Sequence, residues 1–330
     1  MPIFWHFCNA LKTFKIVFFA SALLLLGVLM LSSFRHAPES DHYTKEELGQ
    51  LLFFDKALSL DSSLSCASCH IPTYAFSDTV ALSRGYQGRL GLRNAPSVMN
   101  MKFRDLMFFD GRAASLRDQV HFPISDPNEM NLAYEVAIQR IAANPVYAKA
   151  IMQLYQTLPN ASNIADAIAS FEETLESSET PFDRYMSGDT NAISESAKRG
   201  RELFLGDKAK CFDCHFGPDF TGDEFRNIGL YNGKNDHDAG RYNVTKDSAD
   251  LGKFKVPGLR NIGVTGPYMH DGRFKTLDAV INYYNNPLAF VRDPKNIDPL
   301  LQEPLNLSKA EKEDLKNFLL SLTDKRFINR

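Results

Sequence analysis

Apolar side chains fall at helical rather than alternating spacing along most of this chain. Ile164, Ile168, Phe171 and Leu175 recur at i, i+4, i+7 and i+11, the stripe that one face of an α-helix presents to a core. Leu315, Phe318, Leu319 and Leu322 follow Ser308-Lys-Ala-Glu311, where serine and a glutamate three residues on can satisfy each other's free backbone N–H groups. Thr44-Lys-Glu-Glu47 opens a similar helix ahead of Leu51, Leu52 and Phe53. No run combines sustained alternation with hairpin signals, so the expected fold is mainly α with long loops.

One stretch breaks the amphipathic pattern. After Lys12 and Lys15 the chain runs from Ile16 to Phe34 without a charge, and only Ser21, Ser32 and Ser33 are polar. About 19 apolar residues suffice to span a bilayer as a helix. No Ala-x-Ala cleavage pattern follows, which favours an uncleaved anchor over a removed signal peptide. The lysines ahead of the span place the N-terminus in the cytoplasm and the rest of the chain on the exported side, tethered to the membrane by residues 16–34. Cys8 falls on the cytoplasmic side and has no assigned role.

A length of 330 residues points to two folded domains. The net charge of -3 supplies no basic excess, which excludes nucleic acid as a partner. Two Cys-x-x-Cys-His motifs, Cys66 to His70 and Cys211 to His215, lie 145 residues apart, one per expected domain. Gly91-Leu-Arg-Asn94 recurs as Gly258-Leu-Arg-Asn261, and Asp110-Gly-Arg112 with Ser115-Leu116 recurs as Asp271-Gly-Arg273 with Thr276-Leu277. Two related halves follow. The expected division is residues 1–39 for the anchor or signal, 40–187 for one domain and 188–330 for the other, with the linker between Tyr185 and Ser194.

In each motif the cysteines can form thioethers with haem vinyl groups while the adjacent histidine ligates the iron. The rival readings are a structural zinc site and a redox dithiol. Zinc would use both cysteine pairs in one tetrahedral site and leave the histidine after each pair without a task. Cys66, Cys69, His70, Cys211, Cys214 and His215 are therefore read as two covalent haem sites.

The exported region resembles the bacterial di-haem cytochrome c peroxidase family, including its MauG-type members. The resemblance is carried by Leu52-Phe-Phe-Asp55, Ser65 to His70, Arg93-Asn-Ala-Pro96, Phe109-Asp-Gly-Arg-Ala113, Pro123 to Met130, Phe254-Lys-Val-Pro257, Leu259-Arg-Asn261 and Pro267-Tyr-Met-His-Asp-Gly272. It implies two cytochrome-c-like domains, a peroxide-reactive N-terminal haem and an electron-handling C-terminal haem. It also implies a calcium ion between them, with Asn94, Thr265 and Pro267 at the positions that supply its oxygens.

The same resemblance puts Glu129 at the catalytic glutamate, with Gln119 and Pro123 beside it in the pocket. A carboxylate there can move the proton from one peroxide oxygen to the other. Many relatives carry a histidine that blocks the first iron; Tyr86 stands at that position, which implies an open iron. His70 and His215 are the proximal ligands, Tyr284 matches the sixth-ligand position of the second haem, and Met269 is the alternative. Phe109 occupies the place of a tryptophan relay, while the single tryptophan is Trp5. His121 and His270 are read as structural.

The expected function is reduction of hydrogen peroxide with electrons from a donor such as a small cytochrome c. The alternatives are a MauG-like oxidase acting on a protein or organic substrate through a high-valent haem, and a non-catalytic electron carrier. A homodimer is left open.

Overall fold

The computed structural model describes residues 42–234 and 236–328. The stretch 16–34, read as an anchor, lies outside the described residues, as do Trp5 and Cys8. Among the described residues no helix is long and apolar enough to cross a membrane.

From Thr44 onward the described chain is mainly helical and packs as one unit. Helix α1 (Lys45–Phe54) starts at Thr44, whose side chain and that of Glu47 cap each other's backbone as expected. After a long loop come α2 (Leu116–Gln119), α3 (His121–Ser125), α4 (Tyr134–Ala143), α5 (Pro145–Tyr155) and α6 (Ala161–Glu172). Helix α7 (Pro181–Met186) leads into the expected linker, where Gly188 takes a φ of +105°. The second half holds α8 (Glu195–Leu205), α9 (Tyr242–Thr245), α10 (Leu277–Asn285) and α11 (Lys309–Leu320). Two short antiparallel strands, β1 (Phe225–Arg226) and β2 (Phe254–Lys255), pair across its loops.

The two halves repeat one helix crossing. A Cβ on Gly49 of α1 would lie 1.8 Å from the Ala167 carbonyl oxygen of α6, and one on Gly200 of α8 would lie 1.9 Å from that of Asp314 in α11. Only glycine lets these backbones approach so closely. Around each crossing three phenylalanines meet edge to face: Phe53, Phe76 and Phe171 in the first half, Phe204, Phe220 and Phe318 in the second. The centroid separations match pair by pair, 5.2 Å for Phe53–Phe171 and 5.1 Å for Phe204–Phe318. Each such pair adds about 0.5–1.5 kcal/mol beyond the area it buries.

The echo seen in the sequence is structural too. Met107 bridges Ala113 as Tyr268 bridges Phe274, and the turns between them carry positive φ at Phe108 and Met269 and at Gly111 and Gly272. Ser115 and Thr276 then cap α2 and α10 through equivalent side-chain oxygens. In this register Pro123 of the first half corresponds to Tyr284 of the second.

Candidate functional site

Each cysteine pair sits on a single tight turn. Ser65 precedes the turn Cys66–Ser68, and the His70 N–H donates to the Cys66 carbonyl at 2.9 Å; the His215 N–H donates to Cys211 at the same distance. His70 Nδ1 faces the carbonyls of Phe76 and Pro96 at 3.2 and 3.1 Å, and His215 Nδ1 faces that of Phe220 at 2.9 Å. A carbonyl can only accept, so Nδ1 carries the proton and Nε2 keeps its lone pair for a metal. Burial lowers the pKa of both imidazoles and keeps them neutral.

The second pair opens on a cavity of about 340 Å³. Cys211, Cys214, His215, Tyr284 and Met269 all line it, with Val280, Leu315 and Leu319 supplying apolar wall. Both candidates for the sixth ligand therefore reach this cavity. Adjacent tyrosines divide their roles. The Tyr283 hydroxyl donates to the Ile228 carbonyl at 2.6 Å inside the core, whereas the Tyr284 phenol has its pKa raised by burial and then by the Cys214 and Cys211 thiols beside it.

In the first half two buried polar groups stand without partners near Cys66. The Tyr134 hydroxyl and Glu172 Oε2 make no hydrogen bond, and both residues lie in the electrostatic surroundings of the Cys66 thiol. Unsatisfied buried groups of this kind mark a place that another molecule completes. The donor set, the free Nε2 atoms, the orphaned groups and the cavity fit a covalently held haem at each motif.

Glu129 ends the turn that follows α3. Its N–H donates to the Asp126 carbonyl at 3.0 Å, and its own carbonyl accepts from the Tyr86 N–H at 2.7 Å. A Cβ on Gly85 would fall 1.9 Å from the Asn128 carbonyl oxygen, so the Ser83–Leu90 loop lies flat against this turn. Arg89 holds the Pro127 carbonyl and places its guanidinium 5.5 Å from the Tyr86 ring centroid. Tyr86 is thus fastened into its loop by backbone and ring. Burial pushes the Glu129 carboxyl up to about 6, Asp126 adds to the rise, and Arg112 opposes it. Arg112 is itself braced by Asp110 and by the Phe108 ring, 3.5 Å away. Gln119 closes α2, and Val120 alone separates it from α3.

Phe109 lines the second cavity, as does its neighbour Phe108, whose ring also carries Arg112. The Phe109 carbonyl accepts from the Lys255 N–H at 2.7 Å. Asn94, Thr265 and Pro267 line the same cavity. Asn94 donates Nδ2 to the Val80 and Ala81 carbonyls, each at 3.2 Å, and its N–H to the His270 carbonyl at 2.7 Å. His270 is buried, stacked 3.9 Å from the Phe254 ring centroid. Asp236, His270 and Asp271 converge there, but Arg273 already bonds both carboxylates. The His121 ring packs against Tyr134 at 4.8 Å.

Sequence reasoning missed Gly85, Tyr134 and Glu172. Gly85 had a signal in its position between Arg84 and Tyr86 of the matched loop; Glu172 reads in sequence as an ordinary helix-end charge.

A family model for di-haem cytochrome c peroxidase matches residues 43–191. The methylamine utilization protein MauG of Methylorubrum extorquens is 38% identical over 86% of this chain and 80% of its own length. The cytochrome c551 peroxidase of Nitrosomonas europaea is 38% identical over 71% of each chain. Among solved structures, a MauG-like protein associated with microbial copper homeostasis superposes with a TM-score of 0.78 at 29% identity, over 88% of this chain and 95% of that one.

Proposed function

The chain belongs to the di-haem cytochrome c peroxidase family, an oxidoreductase with two c-type haems, and from that premise we propose a division of labour between its halves. The first half, residues 40–187, takes the peroxide; the second, residues 188–330, handles electrons from a donor such as a small cytochrome c. Cys66 and Cys69 would hold the first haem with His70 as its ligand, and Cys211 and Cys214 the second with His215 and Tyr284. The bound haems supply an iron site for peroxide and the capacity to pass electrons one at a time.

The observation that carries this reading is the Glu129 carboxyl, held on a turn locked by Gly85 and Tyr86 and pushed up to about 6. At neutral pH it is largely ionised yet close to its midpoint, which suits a group that both takes and returns a proton. Glu129 removes the proton from the near oxygen of peroxide and delivers it to the far oxygen, which departs as water. Two electrons from the donor and two protons complete the reduction to two waters. Gln119 and Pro123 border this pocket. Glu129→Gln should retain both haems and lose about 10²-fold or more in peroxide turnover; an unchanged rate at saturating donor would remove Glu129 from the mechanism.

A second reading, oxidation of a protein or organic substrate in the manner of MauG, is favoured by Tyr284. Pro123 corresponds to Tyr284, so the first half offers no side-chain ligand where the second offers a phenol. A phenolate would lower the potential of the second haem relative to a thioether such as Met269. Calcium bound by Asn94, Thr265 and Pro267 is part of the same proposal, supported by their shared cavity and by an Asn94 amide whose Nδ2 is engaged and whose Oδ1 is left for a hard cation. Export to the periplasm and tethering by residues 16–34 complete it.

A further inference from the structure

The repeat of the helix crossing assigns a partner to every residue of α6. Ala167 and Phe171 correspond to Asp314 and Phe318, because each pair meets its glycine in the same way. Glu172 then corresponds to Leu319, which lines the second cavity together with Cys211 and Cys214. The first half therefore carries a carboxyl where the second carries an apolar wall.

That carboxyl has no compensation in the protein. Glu172 is 4% exposed and its Oε2 has no hydrogen-bond partner. Helices α1, α2 and α4 pack against α6, yet their charges are engaged elsewhere. Lys45 and Arg117 both bond Asp166, Asp118 accepts from the Ala114 N–H, and Arg140 donates to the carbonyls of Ala57, Ser59 and Leu60. Glu46, Glu47 and Glu135 are exposed. Cys66 is the group that registers Glu172: after burial, this carboxylate is the largest influence raising the Cys66 thiol. Tyr134 shares the surroundings of Cys66 but is held neutral by its own burial.

We propose that Glu172 is a redox-linked proton site of the first haem, a positioning residue that couples electron entry to proton uptake. The proposal rests on the reading that Cys66 and Cys69 hold a haem. When one electron enters from the donor, one proton enters on a Glu172 oxygen; when the electron leaves, that proton returns to solvent and the carboxylate offsets the charge left on the iron. Burial alone pushes this carboxyl up to about 8, so the proton is present at neutral pH in the uncharged surroundings and is released only against an added positive charge. Leu319 gives the second haem no such coupling.

The test is a potentiometric titration of the holoprotein followed in the visible spectrum between about pH 7 and 9, a window in which Glu129 is already ionised. The wild-type midpoint potential of the first haem should fall with rising pH, and Glu172→Gln and Glu172→Leu should both abolish the slope. The slope of the second haem should be the same in all three proteins. Leucine at this place is compatible with the fold, as Leu319 shows, so the second variant guards against a misfolded first. Redox difference infrared spectra should show a protonated carboxyl band that appears on reduction and is lost in Glu172→Gln. A first-haem slope, or a carboxyl band, that persists in the variants would overturn the proposal. Covalent mass measured on the same samples separates this from failure of the underlying reading, which a wild-type chain without haem on Cys66 and Cys69 would bring down.

Discussion

A carboxyl used as a base must ionise below the working pH, and Glu129 meets this with little margin. Burial is the main cause of its rise to about 6, and Arg112 restrains it. Peroxide turnover should accordingly fall as the pH drops through about 6, and the fall should be absent from the residual rate of Glu129→Gln. The sign for stability is opposite. A carboxyl whose folded pKa exceeds its unfolded value near 4.5 binds its proton more tightly when folded, so its contribution is full below that value and is lost as pH rises through the folded value. For Glu129 that loss is complete above about 6 and for Glu172 above about 8. Tyr284 poses a ligation question of the same scale. Tyr284→Phe should turn the second ferric haem from six-coordinate low-spin to high-spin, whereas Met269→Leu should leave its spectrum unchanged. The reverse pattern would hand the sixth position to Met269.

Helix elements are fixed here by two glycines more than by propensity. With a Cβ placed under 2 Å from a backbone oxygen of the crossing helix, Gly49→Ala or Gly200→Ala must push α1 from α6 or α8 from α11. Overpacking of this kind costs about 1–3 kcal/mol or more, to be read as a lowered denaturation midpoint. Gly91→Ala, with its nearest neighbour atom 3.7 Å away, should leave the midpoint almost unmoved. The stripe from Ile164 to Phe171 and the capping box at Ser308 were legible in the sequence because both are local: periodicity names the buried face, and a cap spans only four residues; Leu175 is buried as well, but beyond the end of α6 at Glu172. The Cys-x-x-Cys-His turns were legible for a similar reason, since two cysteines and a histidine on one short turn need no distant partner; Glu129 came only through the family resemblance, because a loop glutamate taken alone reads as a solvated charge. Glu172 and the Gly49 and Gly200 crossings were not legible, because a glycine or a glutamate in a helix declares its role only when the opposing element is in place. The correspondence of Pro123 with Tyr284 lay between these cases. The Asp-Gly-Arg echo was visible, but extending its register to the end of α10 needed the matching caps at Ser115 and Thr276.

At the scale of the whole molecule the two halves share one scaffold, and two of the corresponding places at which they differ bear on the haems. Pro123 corresponds to Tyr284 and Glu172 to Leu319. In the proposed reading the first of these differences removes a ligand and the second adds a proton carrier on the side of the first motif. Tyr86 is tied by its N–H to Glu129 and by its ring to Arg89. The proposed open first site and the proposed phenol ligand at the second together predict that the fully ferric protein reacts with peroxide without prior reduction. The resting absorption and electron paramagnetic resonance spectra should show one high-spin and one low-spin ferric haem. Mixing with peroxide in a stopped-flow instrument should shift the high-spin signal before any donor is added. In Cys66→Ser that signal and half of the covalent haem mass should disappear together, while Cys211→Ser should remove the low-spin signal instead. Two low-spin haems that stay inert until one electron is supplied would mean that a side chain outside the Ser83–Leu90 loop closes the first iron, and reductive activation would then govern this enzyme.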